Sequence, residues 1–126
     1  MDAHLERLRG TWQAVRIATG GRDVPAGSVE RLRYLFEGDR VTLLEGDAAT
    51  GAGAVSLHAV GGHPAIDVTM TEGAGSGQVA LGIDEVVGDR LRLCIGGERP
   101  VGFTGAGPAA LVELERVQPR PEPGLV

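Results

Sequence analysis

Apolar and polar residues alternate with a period of two over much of this chain, in short runs broken by glycine, proline and Gly-Asp pairs. That is the spacing of β-strands, not of helices. "TWQAVRIA" (Thr11 to Ala18) predicts a first strand, "TGGRDVPAGS" interrupts it, and "SVERLR" adds one short helical turn. "YLFEGDRVTLL" (Tyr34 to Leu44) is two apolar runs around Gly38-Asp39, a hairpin signal, and "EVVGDRLRLC" repeats the same turn chemistry in the second half. Between them "GAGAVSLHAV" (Gly51 to Val60) and "PAIDVTM" (Pro64 to Met70) predict two strands, and "TEGAGSGQ" reads as a loop. The strand from Val79 to Val87, then "RPVGFTG" and "ALVELERV" (Ala110 to Val117), complete the set. About eight or nine short strands with at most one short helix predict an all-β fold, an antiparallel up-and-down barrel. One domain spans residues 1–117; the tail 118–126, "QPRPEPGLV", is proline-rich and aperiodic and is expected to be disordered.

The hairpins fix which side chains face inward. With Gly88 and Asp89 as the central turn residues, Val87 pairs with Arg90, Val86 with Leu91, Glu85 with Arg92, Asp84 with Leu93 and Ile83 with Cys94. Partners across a ladder share a face, so Asp84 joins Val86, Leu91 and Leu93 on the apolar side, and Glu85 meets Arg92 outside. A three-residue loop would reverse the assignment. The same arithmetic pairs Glu37 with Arg40, Phe36 with Val41 and Tyr34 with Leu43 in the first hairpin. Ile83 and Cys94 then fall on the outer face, where a helix, a loop or a second subunit must cover them, so a homodimer is among the expected partners.

Composition narrows the partners. The 12 basic and 17 acidic residues give a net charge of -5, which opposes binding to nucleic acid or to an anionic membrane. The start, "MDAHLERLRG", is charged where a signal peptide would be apolar, no run approaches a membrane span, and the single cysteine suits a reducing compartment, so a cytoplasmic location is expected.

An inward carboxylate among valines and leucines is costly to bury without a partner. Two readings of Asp84 stand: a structural or hydrated group near the barrel mouth, or a ligand anchor or general acid/base. Arg99, stiffened by the following proline, is placed at the rim, where it neutralises Glu98, Asp84 or an anionic ligand. The histidines His4, His58 and His63 have no metal-binding spacing and Cys94 has no cysteine partner, so neither a metal nor another cofactor is expected. Asp67 is expected to face away from Ile66, Val68 and Met70, solvated. Cys94 beside Arg92 is read as an inert strand cysteine before a nucleophile.

"LRGTWQAV" (Leu8 to Val15) contains a Gly-x-Trp at the start of the first strand. With "RLRYLFEGDRVTL", "PAIDVTM", "LGIDEVVGDRLRLC" and "GERPVGF" in this order, the chain resembles the small lipocalin-like, calycin-type domains of unknown function best known from planctomycete proteins, over about Leu8 to Val117. The resemblance implies that Trp12 closes the barrel base beneath Arg116 of the last strand, a cation-π contact. It also marks a departure: relatives read Gly-Ile-Tyr-Glu where this chain has Gly82-Ile83-Asp84-Glu85, an acid in place of a ring.

Three functions compete. The first is binding of a small, largely apolar molecule inside the barrel, with Tyr34, Asp84 and Arg99 as polar anchors and Phe36 and Leu93 in the lining. The second is a cofactor-independent cyclase, isomerase or dehydratase of a natural-product intermediate that uses Asp84 as general acid/base in the same cavity. The third is an interaction domain with a filled interior; the scarcity of aromatic residues (one Trp, one Tyr, two Phe) argues for an open one.

Overall fold

The computed structural model describes residues 3–60, 63–73, 75–100, 102–104, 107 and 109–117. The order of elements is α1 (Ala3–Leu8), β1 (Gly10–Thr19), β2 (Arg22–Asp23), α2 (Ala26–Val29), β3 (Leu32–Glu37), β4 (Arg40–Glu45), β5 (Ala48–Val60), β6 (His63–Gly73), β7 (Val79–Val87), β8 (Arg90–Gly96) and β9 (Ala110–Arg116). All pairings are antiparallel. The strands β1 and β3 to β9 follow one another around a closed up-and-down barrel, sealed by β1 against β9, and β2 adds a short flap on β1. No helix among the described residues is long and apolar enough to cross a membrane.

Both Gly-Asp hairpins hold the register read from the sequence. Glu37 pairs with Arg40 and Phe36 with Val41 in β3 and β4, while Val87 pairs with Arg90 and Asp84 with Leu93 in β7 and β8. Gly38 and Gly88 each adopt φ 59°, the positive value that a two-residue hairpin turn needs at its first central position. Where the apolar alternation breaks in β1, a bulge between Ala14 and Arg16 absorbs the extra residue. Trp12 and Ala14 face inward before it and Ile17 after it, leaving Val15 exposed.

Side chains fill the interior. Trp12, Phe36, Ile66, Leu91, Leu93 and Leu114 pack in one buried cluster, joined by Leu8 of α1 and Val29 of α2. The two helices exceed the single helical turn expected. α1 forms because His4, Leu5 and Leu8 fall on one helical face, and because its last carbonyls find partners. Trp12 Nε1 donates to Leu8 O at 2.7 Å, and Arg116 donates to Arg9 O at 2.6 Å and Arg7 O at 2.9 Å. The guanidinium carbon of Arg116 stands 4.2 Å from the centroid of the Trp12 ring, so one residue of β9 ties α1 to the barrel base.

One strand expectation changes. "RPVGFTG" contains no strand among its described residues; Pro100 removes a donor, and the described residues between β8 and β9 lie on the outside of the barrel as loop. That loop explains the apolar outer positions. Ala65, Ile83, Cys94, Leu111 and Ala18 lie side by side across five strands, all buried. The loop lies over this row, held by Gly20 N to Gly107 O at 2.9 Å, by Arg99 Nη1 to Gly82 O at 2.9 Å, and by Phe103 under Arg92 at 4.4 Å. The tail expected to be disordered lies outside the described residues.

Candidate functional site

The pairing of β6 with β7 ends at Ala65 and Ile83. Beyond it β6 offers Pro64, which has no N–H, while β7 continues to Val87 paired only with β8. The two strands part at the barrel base, and α1 occupies the gap. Arg7 donates to Val86 O at 2.7 Å, and His4 Nε2 forms a hydrogen bond with Asp84 Oδ2. Between α1, β7 and the loop after β8 opens a cleft of about 660 Å³. Pro64, Ile83, Val86, Pro100 and Phe103 supply its apolar walls, and His4, Arg7, Asp84, Glu85 and Arg99 its polar ones.

Asp84 is the one buried charged residue among those described, at 2 % exposure. Its side chain is wholly enclosed on the inward face of β7, opposite Leu93. Oδ2 is satisfied by His4; Oδ1 has no hydrogen-bond partner among the described residues. An unsatisfied carboxylate oxygen in an apolar interior is a standing cost to the fold. Glu85, the adjacent acid, faces out and binds Arg92 through Nη2 at 2.7 Å and Nε at 3.1 Å.

Arg99 and Asp84 border the same cleft from opposite faces of β7. Arg99 does not reach Asp84 or neutralise Glu98; its Nη2 lies 2.8 Å from Asp67 Oδ1, and Asp67 Oδ2 lies 2.9 Å from His58 Nε2. Asp67 does face away from the core, but into this network and not into bulk solvent. The network pins the loop to the outside of β6. Tyr34, Phe36 and Leu93 lie elsewhere. Phe36 and Leu93 are fully enclosed core residues, and Tyr34 packs beside Phe36 with ring centroids 6.4 Å apart. None of the three lines the cleft. His4 is the residue that sequence reasoning passed over, since its partner is 80 positions away. The available signal was indirect: an inward acid requires a donor, and His4 shares a helical face with Leu8.

Burial pushes the Tyr34 phenol up to about 12 by disfavouring the phenolate. Tyr34 is the sole tyrosine, so a spectrophotometric titration reads it alone. Absorbance from phenolate is expected to rise near pH 12 in the folded protein, and near the ordinary value of about 10 once the chain is unfolded. Because the folded-state value is the raised one, the associated stability is complete below about pH 10 and is lost as pH climbs toward 12. A midpoint near 10 in the folded protein would place the hydroxyl in water.

Among the described residues no group of three or more His, Cys, Asp or Glu side chains is arranged to hold a metal ion. The chemistry at hand is that of a buried carboxylate, an imidazole and a guanidinium beside an apolar cleft. The sequence matches no family model, and no curated protein matches it.

Proposed function

We propose that the chain is a lipocalin-like binding barrel whose site is the cleft at its base, not its filled axis, and that it holds a small, largely apolar molecule there with Asp84 as polar anchor. The observation that carries this reading is the meeting of two features at one place. A cleft of about 660 Å³ falls within the range of about 300 to 1,000 Å³ typical of small-molecule sites. It ends on the one buried carboxylate among the described residues, whose Oδ1 has no donor among them and can take one from a ligand hydroxyl or N–H. The anchor thus selects for a donor on the ligand, and the walls for an apolar body.

The test is native mass spectrometry of protein purified from its own host, combined with amide NMR spectra as an apolar fragment set is added. A retained small molecule is expected, with shifts at the amides of Ile83, Gly102 and Phe103 and none at Leu91 or Leu114. No retained molecule and no fragment-induced shift at the cleft would remove the proposal.

One observation favours a second reading, the cofactor-independent cyclase, isomerase or dehydratase. A buried carboxylate bonded to an imidazole, both bordering a cleft, is the arrangement by which an acid orients a general base. His4 would then move the proton and Asp84 hold it in place. Turnover of a candidate substrate that His4→Gln abolishes while binding persists would make this the better description.

A further inference from the structure

The charged groups around the cleft are nearly all paired. His4 meets Asp84, Glu85 meets Arg92, and Arg99 meets Asp67. Arg7 has no acidic partner among the described residues; of its five N–H donors, one is used, toward Val86 O. Its guanidinium is therefore held in place by the backbone of β7 at the border of an apolar cleft with its charge uncompensated. Arg7 is exposed as a residue, so an anion reaches it from solvent, and a fixed guanidinium offers parallel donors that match a carboxylate or sulfonate. A dianion fits less well, since Glu85 and Asp84 line the same cleft.

We infer that the cleft takes an amphipathic monoanion: an apolar body against Ile83, Val86, Pro100 and Phe103, and a singly charged acidic group on Arg7. This deepens the binding proposal and rests on it. A matched pair of probes separates the two. Anilinonaphthalene sulfonate carries the anion, and phenylnaphthylamine is the same aromatic body without it.

Wild-type protein is expected to bind the sulfonate more tightly than the amine, with the difference shrinking as salt is added. Arg7→Gln is expected to weaken the sulfonate by about tenfold or more while the amine changes by less than about twofold. Arg7→Lys, which keeps the charge but loses the fork, falls between them. Circular dichroism and the amide spectrum establish that each variant keeps its fold, and Arg7→Lys with the salt series carries the test if the glutamine variant does not. Equal binding of both probes to wild type and to Arg7→Gln, with cleft amides still shifting, would overturn the anion while leaving the site standing. Absence of both probes from the cleft would overturn both.

Discussion

Replacing Trp12 by alanine is expected to lower the stability of the fold by roughly 3 to 5 kcal/mol. Trp12 is fully buried at the barrel base, donates to Leu8 O, lies beneath Arg116 and touches the core shared by β1, β8 and β9. The truncation removes an indole that no neighbour can replace, because Arg116 is committed to the carbonyls of Arg7 and Arg9 and to Asp89. Against a total of about 5 to 15 kcal/mol for an ordinary domain, such a loss is a large share. The thermal midpoint is expected to fall by on the order of 10 to 25 °C. Denaturant unfolding followed by circular dichroism measures it, since the variant has lost its only tryptophan. A fall of under about 1 kcal/mol would mean that α1 and the base reorganise freely around the gap.

Asp84→Asn is expected to act in the opposite sense on stability and strongly on binding. The substitution keeps the shape of the side chain but replaces a carboxylate whose buried Oδ1 has no partner among the described residues. The carboxylate is satisfied by His4 at Oδ2 but has no donor at Oδ1, a neutral amide is cheaper to bury than a half-satisfied carboxylate, and the His4 left behind is partly exposed, so the thermal midpoint should be no lower than that of the native protein. Affinity for the molecule retained from the host should drop about 10- to 100-fold, the loss of one charge-assisted hydrogen bond. Calorimetry on the two proteins reads both quantities. A destabilised variant with unchanged affinity would assign Asp84 to the architecture, as the acceptor that seats α1 through His4.

How much of this was legible in the sequence depends on the range of the signal. The inward position of Asp84 follows from a two-residue turn and the alternation around it, because a hairpin is a local structure and its register propagates without error over a few residues. The same rule placed Glu85 outside against Arg92. The cleft has no such signature. It arises where β6 and β7 part beside Pro64, where α1 returns to the barrel base from the start of the chain, and where a glycine-rich loop is drawn over Ile83 and Cys94. Arg99 illustrates the point: its position before Pro100 marks a turn, yet its carboxylate partner is Asp67 on β6, chosen by the path of the loop. The filled interior escaped notice for a related reason. Few aromatic residues suggest an open barrel, but leucine and isoleucine from several strands, with Leu8 entering from α1, occupy the axis.

The seam between β1 and β9 is the longest-range pairing in this molecule and is expected to form last. Every other strand finds its partner in a near neighbour along the chain, so hairpins such as β3 with β4 and β7 with β8 form quickly and cheaply. Joining Trp12 to Arg116 instead closes a loop of nearly the whole domain, whose entropy must be lost before the contacts across it are gained. Until then the curled sheet carries two open edges, and α1 has neither the guanidinium that bonds its last carbonyls nor a closed base beneath it. Folding is therefore expected to end at the place where the cleft begins, with the His4 to Asp84 contact a late event; stopped-flow fluorescence of the single tryptophan checks it, and a tryptophan signal complete before the barrel's circular dichroism would contradict it.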